Sequence, residues 1–193
     1  PYGSLPTNVV LDFSELRFIY PIGVTFLSNL ILWLNRMNVT VNYRGHTRNT
    51  QALTFLDDAL FFEQHLKQKL NHYANPRPTT RPLVNIHHSY SHSWLEFTLV
   101  PWLASALSIS TQSLSSLHVC VAELFNNIQD HSTLEIGSIF AQHFPNIHKV
   151  GIAVADFGCG IPATVRSKYP HLNDNNAIIQ AVNNLSKTRT GAL

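Results

Sequence analysis

Glu123, Asn127 and His131 recur every four residues, with Asp130 beside the last of them. On a helix that spacing draws one polar line, about a quarter-turn from the apolar set Leu117, Val121, Leu124 and Ile128. A carboxylate and an amide at the border of a buried stripe can face a cleft while their helix stays anchored to a core. That is a rigid mount for a metal-nucleotide site. The second set is VADFGCGIP, Val154 to Pro162, where a mostly apolar strand leads into Asp156. Gly158 and Gly160 permit backbone angles closed to other residues and let a ligand approach the main chain. An unpaired carboxylate at the end of a buried strand is costly, so Asp156 is expected to hold a partner. Adenine offers such a group an amino donor, whereas guanine offers an acceptor oxygen and would be repelled. Each set alone also fits a solvated helix flank or an acid-capped turn; their order and pairing carry the signal.

Other clusters carry less. His87, His88 and His92 form HHSYSH, in which the i, i+4 pair His88 and His92 suits one helix face, yet only Glu96 is at hand as a further ligand or supporting carboxylate. Surface histidines at the start of a helix are the simpler reading. Cys120 is expected on the buried side of its helix and Cys159 lies between two glycines, neither with the local positive charge of a reactive thiolate. Asp156-Phe157-Gly158 spells the DFG of protein kinases, but the catalytic HRD loop, glycine-rich loop and strand lysine that a kinase needs upstream are missing.

The elements that must position these residues follow from periodicity. Val9 to Phe13 reads as a strand buried on both faces, Gly23 to Arg36 as a helix and Val39 to Tyr43 as an alternating strand, which together make a parallel crossover. Gln51 to Leu56 and Phe61 to Leu70 add helical spacing. Tyr73 to Pro82, YANPRPTTRP, holds three prolines and reads as a linker, with a long loop inside one domain as the alternative. Beyond it come a short strand at Leu83 to Ile86 and an apolar helix from Trp94 to Leu107 that Pro101 should kink. A helix from Ser115 or Ser116 to about Ser132, strands at Glu135 to Phe144 and Lys149 to Asp156, and a helix from Asp174 to Asn184 capped by Asp174 complete the order.

The 193 residues are 45% apolar, enough to bury a core, and only 12% are charged, for a formal net charge of +2. The scattered lysines and arginines disfavour a nucleic-acid binder, because phosphate contacts need them clustered. Two cysteines make no disulfide framework, so a reducing, cytoplasmic setting is expected. The apolar run Val24 to Leu34 is broken by Ser28 and Asn29 and is too short to cross a bilayer, so no membrane insertion is expected. The chain opens on Pro rather than Met and reads as a fragment of a longer protein.

Over residues 83–193 the helix line E-x-x-x-N-x-x-D-H, followed by strand-borne D-x-G-x-G, resembles the N-box and first glycine box of the Bergerat-fold, or GHKL, ATPases. The resemblance implies an α/β sandwich, a mixed sheet covered by helices on one face, holding ATP and Mg²⁺. It assigns Glu123 to the carboxylate that orients or deprotonates the attacking group and Asn127 to the Mg²⁺ ligand. Asp130 and His131 match the end of the N-box. Asp156 matches the adenine-reading aspartate, with Gly158, Gly160 and Ile161 around base and ribose. Lys187 to Thr190 would be lid residues, including Thr188 against the nucleotide. The family's second glycine box, which grips the phosphates, is not in this chain, although Gly191 stands where it would begin.

Residues 1–72 resemble, more faintly, the STAS domains of anti-anti-sigma factors and sulfate transporters, through VVLDFSELRFIYPIGVTFL and the helix and strand after it. Where phosphorylatable members carry a serine, the turn Tyr20-Pro21-Ile22-Gly23 has Ile22 and no hydroxyl. The implied organisation is a STAS-like domain over 1–72, a linker over 73–82 and a histidine-kinase-like ATPase domain over 83–193. The implied function is ATP-dependent regulation, by ATPase or serine/threonine-kinase chemistry. The alternative is a non-catalytic, nucleotide-gated interaction module. ATP or ADP and a protein partner are expected, and a homodimer is left open.

Overall fold

The computed structural model describes the backbone of residues 5–158 and 160–189, and their side chains except for 129–136 and 184–189. The expected crossover is present. Strand β1 (Asn8–Asp12), helix α1 (Pro21–Arg36) and strand β2 (Thr40–Arg44) form a βαβ unit in which β1 and β2 pair in parallel, from Asn8 opposite Thr40 to Asp12 opposite Arg44. Pro21 starts α1 where a missing N–H is harmless. The Arg44 guanidinium donates to the Asp12 carboxylate, and that partner holds the carboxyl well below its usual range. The sequence predicts β1 as buried on both faces; instead its residues alternate between exposed and half-buried, because a two-stranded sheet has no central strand. Helices α2 (Gln51–Asp58) and α3 (Phe61–Leu66) follow, the first capped by Thr50, whose hydroxyl accepts from the Leu53 amide.

The segment expected to be linker is pinned at several points. Arg77 donates to Asp58 at 2.8 Å, and Trp102 Nε1 donates to the Pro78 carbonyl at 3.0 Å. Strand β3 (Thr80–His87) begins inside that segment. Pro82 is tolerated because β3 is an edge strand and its register shifts between Arg81 and Val84. At this bulge the Leu83 amide leaves the sheet and donates to the Ala59 carbonyl.

Helices α4 (His88–Trp94) and α5 (Val100–Leu107) are joined by a π-helical turn, Leu95–Leu99. Pro101 was expected to kink one long helix, since it cannot donate to the carbonyl four residues back. The wider turn just before it absorbs that missing bond. A 3₁₀ turn, Thr111–Leu114, capped by Ser110, leads into α6 (Ser115–His131). Strands β4 (Ser132–Phe144) and β5 (Lys149–Gly158) complete an antiparallel sheet of order β3-β4-β5. Helix α7 (Ile161–Lys168), not anticipated from the sequence, precedes α8 (Asp174–Arg189). The cap of α8 is Asn173, which accepts from the Asn176 amide, while Asp174 pairs with Arg166 on α7.

Two expectations about the sheet are corrected. It is antiparallel rather than mixed, and helices cover both of its faces. Alternate residues of β4 show why: Ile139 and Ala141 join the cluster of Leu95, Leu99, Leu103, Val121, Phe125 and Ile128, whereas Phe140 joins Phe13, Val24, Ile31, Phe61 and Phe62 from the N-terminal half. The fold is thus a mixed α/β architecture in which Phe140 and Leu83 share a core with residues upstream of the proline-rich segment.

Candidate functional site

The inward stripe of α6 is rotated from the one the spacing predicts. Val121, Phe125 and Ile128 are buried, Leu124 is 47% exposed and Cys120 is exposed, contrary to the expectation that both line the buried side. Phe125 outcompetes Leu124 for the core because the larger ring removes more apolar surface from water. At 100° per residue this moves Glu123 and Asn127 about a third of a turn or more from the buried axis, and both are exposed. The other flank faces α4, where His92 Nε2 and Asn126 Oδ1 lie 3.3 Å apart. The side chains of Asp130 and His131 lie outside the described residues.

Strand β5 is also less enclosed than expected. It borders the sheet, most of it is half-buried, and Asp156 is exposed rather than at the end of a buried strand. Its carboxylate is not idle: Oδ1 accepts from the Gly158 amide and draws the chain into the turn. Gly160 has φ of +81°, a conformation that favours glycine, and its carbonyl accepts from the Thr164 amide at the start of α7. Ile161, the first residue of α7, is 58% exposed. Cys159 and Gly191, and the side chain of Thr188, lie outside the described residues.

Register puts Asp156 and α6 on the same side of the sheet. Asp156 pairs directly with Gly137, and directly paired residues project to the same face. A Cβ placed on Gly137 would meet Ile128 Cδ1 at 2.6 Å, so that face is the one α6 covers. Asp156 and the helix carrying Glu123 and Asn127 therefore share one side of the sheet. Two cavities, of about 380 and 160 Å³, lie elsewhere, the larger against His46, Asp57 and Tyr73 and the smaller against Phe18, Phe55 and Gln142.

Sequence reasoning missed the residues behind the site. Asn29 on α1 donates through Nδ2 to the Asp156 carbonyl at 2.9 Å, and its Oδ1 accepts from the Ser138 hydroxyl. The Asn85 side-chain amide stands 2.6 Å from the same hydroxyl. A hydroxyl has one proton, and Asn29 takes it, so Asn85 serves the hydroxyl best with its NH₂ turned inward. The available signal was the Ser28-Asn29 pair interrupting the longest apolar run. Ser28 is the other half of it: fully buried, it lies 3.0 Å from His65 Nε2.

Of the histidines in HHSYSH, His87 caps α4 with its own ring, Nδ1 accepting from the Ser89 amide, and the His88 and His92 rings meet edge to face at 5.8 Å. Among the described residues no three His, Cys, Asp or Glu side chains converge on a metal position, and no helix is long and apolar enough to cross a membrane. Compared with known proteins, the chain matches no protein-family model, no curated protein and no solved structure.

Proposed function

We propose that the chain is an ATP-binding regulatory protein of the Bergerat, or GHKL, type, with its nucleotide site between α6 and the β5 turn and a STAS-like unit at its N-terminal end. The observation that carries the reading is the shared face: Asp156 is in register with Gly137, on which Ile128 of α6 packs. In this reading the Asp156 oxygen not engaged by Gly158 accepts from the adenine amino group, and Gly158, Gly160 and Ile161 border base and ribose. Asn127 is an exposed amide on the neighbouring helix, suited to one coordination position of Mg²⁺. That ion takes few protein ligands and completes its shell with phosphates and water, so a single amide is an adequate protein contribution. When bound, it would neutralise phosphate charge. Glu123, one turn back, would orient or deprotonate an attacking water or hydroxyl in this reading.

The second reading is a nucleotide-gated interaction module without turnover. It is favoured by the bond between α1 and the Asp156 backbone, which offers a route from nucleotide to N-terminal unit that needs no chemistry. One experiment separates the two. Titration calorimetry with Mg-ATP should detect binding, and Asp156→Asn should weaken it about 10- to 100-fold, the worth of a hydrogen bond to a charged group. Glu123→Ala should retain binding; loss of phosphate release in that variant marks the enzyme, and unchanged partner binding with no turnover in either protein marks the module. Equal affinity in wild type and Asp156→Asn would remove Asp156 from an adenine pocket.

A further inference from the structure

Helix α1 runs along the back of β5, on the face opposite α6. Near its start, the position where Gly151 would carry a Cβ is 3.0 Å from Pro21 Cγ. In its middle, Asn29 donates to the Asp156 carbonyl at 2.9 Å. At its end, the Arg36 guanidinium lies over the Phe157 ring at 5.9 Å. Three points spread over sixteen helical residues fix the helix against the strand, and of these three the middle one grips the backbone of Asp156.

Asn29 is suited to that role by its chemistry. A side-chain amide donates and accepts through separate atoms: its NH₂ meets the Asp156 carbonyl, and its oxygen takes the proton of Ser138, which is fully buried. Ser138 in turn is held beside Asn85 on β3, so the clamp is referenced to all three strands of the sheet and not to β5 alone. An apolar side chain at position 29 would leave the Ser138 hydroxyl without this acceptor. The arrangement places the N-terminal unit one hydrogen bond away from the Asp156 main chain, and Asp156 in turn holds the Gly158 amide. A movement of α1 therefore reaches the turn through two consecutive bonds.

We propose that Asn29 is a positioning residue through which α1 sets the geometry of the Asp156–Gly158 turn, so that displacement of α1 and occupancy of the nucleotide site oppose one another. The functional half of this proposal rests on the nucleotide reading given above; the positional half does not. Because linkage is reciprocal, whatever α1 does to nucleotide affinity, nucleotide does to the stability of α1.

The test uses the whole chain and two readouts, amide hydrogen exchange and Mg-ATP titration. Asn29→Asp keeps an oxygen for Ser138 and replaces the donor to Asp156 with an acceptor; Ser138→Ala removes the other half and spares the Asp156 bond. Asn29→Asp is expected to speed exchange at residues 157 and 158 about tenfold and to raise the Mg-ATP dissociation constant about tenfold, the scale of one hydrogen bond. Ser138→Ala should leave the dissociation constant within about twofold. Unchanged exchange at 157 and 158 in folded Asn29→Asp overturns the proposal. Faster exchange with no Mg-ATP binding even in the wild type keeps the positional half and rejects the nucleotide reading instead. If Asn29→Asp does not fold, the wild type decides: saturating Mg-ATP should slow exchange in α1 around Asn29, and no change there overturns the coupling.

Discussion

Gly137 on β4 lies so close beneath Ile128 of α6 that a Cβ at that position would stand 2.6 Å from the Ile128 Cδ1 atom. The absent side chain is what lets α6 settle onto the sheet beside Asp156. Gly137→Ala should therefore lower stability by about 1–3 kcal/mol through overpacking, and Ile128→Val should recover part of that loss in the double variant. Urea unfolding of the two single variants and the double one measures it. A neutral Gly137→Ala would mean that the Ile128 terminal methyl turns aside without cost.

The rotation of α6 gives a sharp contrast between neighbours. Phe125 is 1% exposed and Leu124 is 47% exposed. Phe125→Ala should cost about 3–5 kcal/mol, whereas Leu124→Ala should stay near the surface range of about 0.5 kcal/mol. Thermal or chemical denaturation checks the pair, and equal losses would restore the stripe that simple spacing predicts.

His65 on α3 should make stability depend on pH. Burial, reinforced by the Lys67 ammonium, holds its imidazole down to about 4, against 6.5 for a free side chain. Between those values the unfolded chain binds the proton and the folded chain does not. Stability is therefore at its full level above pH 6.5 and falls as the pH drops toward 4, by a total on the order of 3 kcal/mol. His65→Asn should flatten that slope while leaving Ser28 a hydrogen-bonding neighbour. Unfolding curves at intervals from pH 7 to pH 4 compare the two proteins, and parallel curves would remove His65 as the cause.

Asp57 is buried at 3% exposure, and its two oxygens accept from the backbone amides of Leu70 and Asn71 at 3.0 and 2.7 Å. Asp57→Asn keeps the shape but retains only one acceptor oxygen, so one of those amides loses its bond. The expected cost is about 1–3 kcal/mol. Faster exchange at Leu70 or Asn71 would locate the broken bond, and unchanged exchange at both would argue against the pairing.

The elements were largely legible in the sequence because their periodicities are strong. The parallel β1-α1-β2 unit, the helix over Ser115–His131 and the two long strands at 132–144 and 149–158 all lie where alternation and helical spacing put them. What could not be read was competition among neighbours. Leu124 and Phe125 both fit an amphipathic helix, and only the sheet beneath decides which turns inward. Strand burial was misjudged for β1 and β5, because a run of apolar residues does not say whether a strand sits at an edge. For the candidate site, the order of Glu123, Asn127 and Asp156 was visible, but that α6 covers the face on which Asp156 lies depended on the pairing of Gly137 with Asp156. Asn29 was visible only as an interruption, since a polar residue inside an apolar helix names no partner by itself.

Phe140 has a consequence for dissecting the molecule. Its ring is wholly enclosed, and it meets Phe55 edge to face in one core with Phe13, Phe61 and Phe62 although it belongs to the other half of the chain. Cutting the polypeptide at Asn75–Pro78 would strip that ring of its neighbours and leave an oily scar on each piece. Neither piece should be soluble when expressed alone, and the two should reassemble when produced in the same cell, as a split protein does.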